Sequence, residues 1–190
     1  VGSGSFMRTT KEAQQLARLM VKIGELANKK VSAIITSMDE PLGNNIGNAL
    51  EVKEAIDMLK GEGPDDLKAV VYEIAKNLLL DAELATEKEV IKLLDTKIKN
   101  GQAFNKFFEM VAAQGGDVDM ILNPELLPKA KRIIPFKAYK SGYIEEIDTA
   151  NVGRAAGLLG AGRKTLDDKI DMAVGLEFKN KVGSYLNKDD

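Results

Sequence analysis

Between residues 10 and 59 the spacing of apolar residues changes twice, and that change confines the chain to the α/β class. Ala13, Leu16, Ala17, Met20, Val21, Gly24 and Ala27 recur at helical spacing. Thr10 stands where an N-cap is wanted, so the pattern predicts one amphipathic helix reaching about Asn28. Lys29 and Lys30 close it, suiting the negative end of the helix dipole. Residues 31–36 then form a short apolar run with two adjacent isoleucines. A run this short reads as a buried strand, parallel within an α/β unit. A loop over residues 37–47 follows, with Pro41, Gly43, Asn44 and Asn45 as turn formers. Leu50, Ile56 and Leu59 belong to a second helix, which stops at Gly61-Glu62-Gly63-Pro64.

Residues 65–123 are helical in pattern throughout. Leu67, Val70, Val71, Ile74, Ala75, Leu78 and Leu79 make one stripe, and Thr86 caps a further helix carrying Val90, Ile91, Leu94 and Ile98. Phe104, Phe107 and Phe108 share one face of the next and are read as core. The character changes after Pro124 and Pro128. Residues 132–147 read as two strands with a turn at Lys140-Ser141-Gly142. A small-residue helix from about Asn151 to Leu159 follows, broken by Gly160-Ala161-Gly162. Residues 173–186 are strand-like, with a turn at Lys179-Asn180-Lys181. The expected division is an α/β, helix-rich part over 1–128 and an α+β part over 129–190.

Composition narrows the chemistry. The chain has no histidine and no cysteine. His-based triads, thiolate nucleophiles, disulfides and Cys or His zinc sites therefore cannot be built from these residues. Any catalysis rests on Lys, Arg, Asp, Glu, Ser, Thr or Tyr. The absence of cysteine fits a cytoplasmic protein. With a net charge of −2 there is no general basic character, so no nucleic-acid partner is expected. The apolar stretches are too short to span a bilayer, so no membrane partner is expected either. The glycine- and serine-rich start is not a signal peptide.

Three segments stand out. Gly2-Ser3-Gly4-Ser5-Phe6-Met7 lacks the third glycine of a dinucleotide fingerprint and the Gly-Lys of a P-loop. By composition alone it reads as a linker or flexible terminus. Residues 38–54, MDEPLGNNIGNALEVKE, leave a predicted strand and enter a helix, where ligands gather in open α/β sheets. Their carboxylates, amides and free carbonyls are hard oxygen donors. A plain polar loop before a capped helix is the simpler reading of the same residues. In residues 148–163, small residues suit close packing of a helix on a sheet, and Arg154 and Arg163 read as solvated rather than as anion ligands.

Taken in order, these segments resemble one family, the thymidine and pyrimidine-nucleoside phosphorylases. VGSGSFM at 1–7 is similar to that family's glycine-rich loop, and residues 38–54 to its signature region. AAQGGD at 112–117, LPKA at 127–130, the Gly142-Tyr143 turn and the stretch 148–178 also match. The resemblance assigns the GSGS segment to the native protein. It implies a mixed-sheet α/β catalytic domain, here partial, followed by a truncated α+β C-terminal domain. It also implies phosphorolysis, in which phosphate attacks C1′ of a pyrimidine nucleoside to give the free base and a pentose 1-phosphate.

By the same resemblance, no catalytic donor lies within residues 1–190. The Lys, Ser, Thr and Arg residues that hold phosphate and base are expected upstream of Val1. Phe6 matches the family's aromatic residue against the base. Leu42, Asn45 and Glu54 match its monovalent cation site, potassium, through two backbone carbonyls and one carboxylate. Asn45 departs from the small residue often found there, which a backbone ligand tolerates. No organic cofactor is implied. The expected partners are a pyrimidine nucleoside and inorganic phosphate, in a homodimer formed mainly through a helical domain outside this chain. The Pro41-Leu42-Gly43 form looks more like broad-specificity enzymes than strict thymidine phosphorylases. Two other readings are a phosphoribosyltransferase-like enzyme of related fold and a non-catalytic domain that only binds or assembles.

Overall fold

The computed structural model describes residues 1–163 and 165–190; Lys164, within the matching stretch 148–178, lies outside the described residues. Helix α1 spans Thr10–Leu26, capped one residue earlier than expected. Thr9 is the N-cap, and its hydroxyl and Glu12 form a reciprocal capping box, with Glu12 N–H donating to Thr9 Oγ1 at 3.3 Å and Thr9 N–H to Glu12 Oε2 at 3.1 Å. Asn28 takes the left-handed conformation beyond the C-terminus, and Lys29 N–H donates to Gly24 O.

Strand β1 (Asn45–Ile46) leads into α2 (Asn48–Leu59), and α3 (Asp65–Asp81), α4 (Val90–Lys99), α5 (Gln102–Ala113) and α6 (Val118–Leu122) follow. Adjacent helices pack in sequence, α3 on α4, α4 on α5 and α5 on α6, with α2 also against α5. Ile56 of α2 and Val90 of α4 are fully buried. Met58 and Ile121 join them in the core. Tyr72 on α3 donates its hydroxyl hydrogen to Asp95 Oδ1 on α4 at 2.9 Å. Phe104 and Phe107, read as core, are only half-buried, and Phe104 lies under the Lys60 ammonium.

Beyond residue 128 come β2 (Gly142–Tyr143), α7 (Thr149–Leu159), β3 (Leu176–Glu177) and β4 (Tyr185–Leu186). Helix α7 is capped by Asp148 and closed by left-handed Gly160. The strand pairings differ from the expected hairpins. β1 pairs antiparallel with β3, and β2 with β4. Residues 132–139 do not fold back on β2; Ala138 instead exchanges backbone hydrogen bonds with Asp189 and Asp190. The long-range pairing wins because it stacks Tyr143 edge-on against Tyr185, its register partner, at 5.0 Å. The tail turns at 181–184, with Ser184 N–H donating to Lys181 O, rather than at 179–181.

The expected strand at 31–36 is also corrected. Among the described residues, 31–35 make no backbone hydrogen bond, and Val31, Ile34 and Ile35 are exposed. A strand needs a neighbour to exchange ladder bonds. Here only Thr36 and Met38 find one, in Val1. The apolar stripe of α1 is likewise uncovered, from Leu16 to Leu26. Total accessible area is 13739 Å², against roughly 8,900 Å² from mass scaling for a compact monomer of this size.

The α3–α4 contact makes one prediction. Burial first, then the hydrogen bond to Asp95 and its charge, push the Tyr72 phenol up to about 12. Its folded pKa is raised, so the associated stability is intact below its ordinary value of 10.0 and is lost as pH rises through about 12. In an ultraviolet pH titration, the last tyrosine to ionise should disappear in Tyr72→Phe. An unchanged titration would refute the assignment.

Candidate functional site

The glycine-rich start is built into the structure. Val1 donates its amino group to Thr36 O at 2.8 Å, Gly4 N–H donates to Met38 O at 3.0 Å, and Ser3 N–H to Asp39 Oδ1 at 3.1 Å. Gly2 is buried with φ of 127°, and a Cβ there would lie 2.3 Å from Asp39 Oδ1. Only glycine suits both the backbone angle and the space. This overturns the compositional reading of a free linker. Phe6 leaves this loop with its residue 100% exposed.

From Asp39 the chain runs into the loop over 40–47. The loop wraps the carboxylate of Glu54, which projects from α2 and is 7% exposed. Asn44 N–H and Asn45 Nδ2 both donate to Glu54 Oε1 at 2.8 Å. Oε2 sits against Gly43, whose φ is 68°; a Cβ on Gly43 would lie 2.1 Å from that oxygen. Among the described residues Glu54 has no ion-pair partner. A buried carboxylate answered only by neutral donors is under-compensated, and a bound cation would complete it.

A second charged group grips the same loop from the far end of the chain. Lys181 Nζ donates to the carbonyls of Pro41 and Gly43, and to Asp66 Oδ2 at 3.1 Å. Asp66 Oδ2 also accepts Gly43 N–H at 3.0 Å. Next to Lys181, Val182 N–H donates to Glu40 Oε2 at 3.0 Å, and Phe178 N–H donates to Asn44 O at 2.7 Å. Partial burial works to raise the Asp66 pKa. The hydrogen bond from Lys181, the amides of Leu67 and Gly43, and the Lys181 charge outweigh it and hold the carboxyl below its usual value.

Of the residues singled out in the sequence, Asn45 bonds Glu54 through its side-chain amide beside Gly43, Leu42 adjoins Gly43 in the chain, and Phe6 stands apart in solvent. Among the described residues the Leu42 carbonyl accepts no hydrogen bond, although both flanking carbonyls do. No three of Asp, Glu, His and Cys among the described residues gather there as a metal cage. One carboxylate with backbone carbonyls is a donor set of low charge, suited to a monovalent ion. Lys181 and Asp66 were missed, whereas Glu40 lies in the segment 38–54 whose carboxylates were singled out. Lys181 lies 115 to 140 residues from its partners in this cluster, and no local pattern marks such a contact.

The small residues of α7 do not pack as expected. A Cβ on Gly153 or Gly157 would meet nothing within 4 Å. With Gly47, Asn48 and Phe107 they line a cavity of about 510 Å³ at the start of α2. Arg154 is exposed and donates to Asn151 Oδ1 at 3.1 Å, so it is solvated as expected.

Comparison with known proteins matches two separate stretches of the chain. Residues 1–104 match the family model described as glycosyl transferase family, a/b domain. The chain belongs to this glycosyl transferase family. Residues 143–190 match the model for the pyrimidine nucleoside phosphorylase C-terminal domain. Pyrimidine-nucleoside phosphorylases from Staphylococcus epidermidis (strain ATCC 12228 / FDA PCI 1200) and Geobacillus stearothermophilus are 46% and 45% identical over all 190 residues. That of Staphylococcus aureus (strain USA300) is 44% identical over the same length. The chain spans 44% of the length of each of these relatives. The glycosyl transferase match contains the Gly-rich loop and the Glu54 loop, and the C-terminal match contains Lys181. The contact between them therefore joins two family units.

Two predictions follow from this geometry. Gly43→Ala must adopt a left-handed backbone and displace Glu54, so it should cost at least ~1–2 kcal/mol in a denaturant titration; an unchanged midpoint would show the loop to be adaptable. Because the folded Asp66 pKa is depressed, its stabilisation is complete above the ordinary value of 3.8 and is lost as pH falls through the lower folded value. Solvent screens this partly exposed pair, so the effect is modest. Acid unfolding below 3.8 should be less steep in Asp66→Asn than in the unaltered chain; identical slopes would remove Asp66 from the account.

Proposed function

We propose that the intact protein catalyses phosphorolysis of pyrimidine nucleosides. The observation that carries this reading is the identity of 46% to 44% with pyrimidine-nucleoside phosphorylases across every residue of the chain. In the reaction a phosphate oxygen bonds to C1′ as the bond from C1′ to the base nitrogen breaks. The electron pair leaves with the base, which takes up a proton. The sugar passes through an oxocarbenium-like state between two anions, so the site must supply positive charge and oriented donors.

In this reading residues 1–190 supply support rather than those donors. Phe6, fully exposed beside the anchored glycine loop, offers a flat apolar face to the pyrimidine ring. Leu42 and Asn45 through their carbonyls, and Glu54 through its carboxylate, would hold a potassium ion. A bound potassium ion would neutralise Glu54 and stiffen the loop that joins the glycine segment to α2. The phosphate and base donors come from other parts of the protein. The uncovered stripe of α1 and residues 31–36 is where further chain packs. The Pro41-Leu42-Gly43 sequence points to an enzyme that accepts both uridine and thymidine. We place it in the cytoplasm as a homodimer; no helix among the described residues is long and apolar enough to cross a membrane.

The test is phosphate-dependent release of uracil from uridine and of thymine from thymidine. The intact protein should release both. Phe6→Ala should raise KM several-fold while moving stability by no more than ~0.5 kcal/mol, as for an exposed side chain. The isolated 190-residue chain should be inactive. Phosphorolysis by that chain alone would place the donors within residues 1–190, and an inactive intact protein would refute the function.

A further inference from the structure

We propose that Lys181 is a positioning residue, a tethered cation that sets the shape of the carbonyl loop from Pro41 to Gly43. On the reading of Leu42, Asn45 and Glu54 as a monovalent-ion site, this inference names the group outside the site that keeps it formed. An alkylammonium has three N–H donors and no acceptor. All three are matched here by oxygens from two separate segments, Pro41 O and Gly43 O of the loop and Asp66 Oδ2 at the start of α3. The Lys181 side chain is 23% exposed, so the contact is largely sheltered from water.

The arrangement is selective along the backbone. Lys181 takes the carbonyls on either side of Leu42 and leaves that of Leu42 uncommitted among the described residues. The position of Lys181 is itself fixed. The β1–β3 pairing sets the register, and the bonds from Phe178 to Asn44 and from Val182 to Glu40 bracket it. The charges also fit a second cation. Glu40, Glu54 and Asp66 all hydrogen-bond the loop or its clamp, and Lys181 answers only one of these three carboxylates directly. One more single positive charge is therefore accommodated.

The experiment follows amide hydrogen exchange in the intact protein, with tetramethylammonium as the only buffer cation because it is too bulky to enter the loop. In Lys181→Met, protection at Gly43 and Asn44 should fall at least tenfold, which is about 1.4 kcal/mol of local opening. Amides of α3 and α4 around Tyr72 and Asp95 should be unchanged and report that the fold is intact. Added methylammonium, a soluble copy of the lost group, should restore the protection. Lys181→Gln keeps a stem and a neutral donor, so it serves as the second variant if the methionine form unfolds; it should lose protection and be rescued in the same way. Lys181→Arg should retain most of it. Full protection in both neutral variants, or loss that methylammonium does not reverse, would overturn the role of Lys181. Potassium titration of the unaltered protein, read from the amide shifts of Leu42 and Asn45, tests the ion reading separately. A saturable response supports it, and a flat one overturns the ion site without altering the exchange result.

Discussion

The Glu54 carboxylate is the constraint to which the rest of this region answers. A charge held at 7% exposure on a helix needs compensation from whatever covers it. The covering loop supplies a backbone amide and a side-chain amide, and it approaches so closely that residue 43 has no room for a Cβ. The loop's backbone path, the left-handed turn at Gly43 and the entry into α2 follow from that approach. So does the orientation of Asn45, whose side chain serves Glu54 while its backbone belongs to β1.

The loop is then held from three directions. Its start is fixed through Asp39 to the glycine segment, its middle through Lys181 and Asp66, and its end through β3. Each tie uses a different chemistry, namely a backbone amide on a carboxylate, an ammonium with carbonyl oxygens, and a two-residue ladder. None is strong alone in water. Together they leave few alternative paths for seven or eight residues. The C-terminal family unit thus does more than follow the α/β unit in sequence; its residues 176–182 form one wall of the candidate site.

Much of this was legible before the structure. The period of the apolar residues placed α1, α2, α3, α5 and α7 to within a few residues, because each carries a helical stripe and a cap or a glycine stop. The family resemblance grouped Leu42, Asn45 and Glu54; in the structure the Asn45 side-chain amide bonds Glu54, and Leu42 adjoins Gly43 in the chain. What failed were the strands. Residues 31–36 are apolar enough for a buried strand, but apolar character names no partner, and among the described residues the run has no ladder. Residues 132–147 looked like a local hairpin, and the preference of Tyr143 for Tyr185 over a nearer neighbour has no local signature. Lys181 was read as part of a turn for the same reason. Its three oxygens lie 115 to 140 residues away, where the spacing of residues carries no information.

That distance also bears on how the chain folds. Closing a flexible segment of 138 residues, the separation of Lys181 from Gly43, costs roughly 4 kcal/mol of entropy before any contact is made. Local helix pairs such as α3 with α4 face no such cost and form early. The Lys181 tie to the Glu54 loop, unlike the local bonds of Asn44 and Asn45 to Glu54, is therefore expected among the later contacts to form. A nascent or partly refolded molecule can hold native helices and still lack this tie, so helical signal would recover ahead of it.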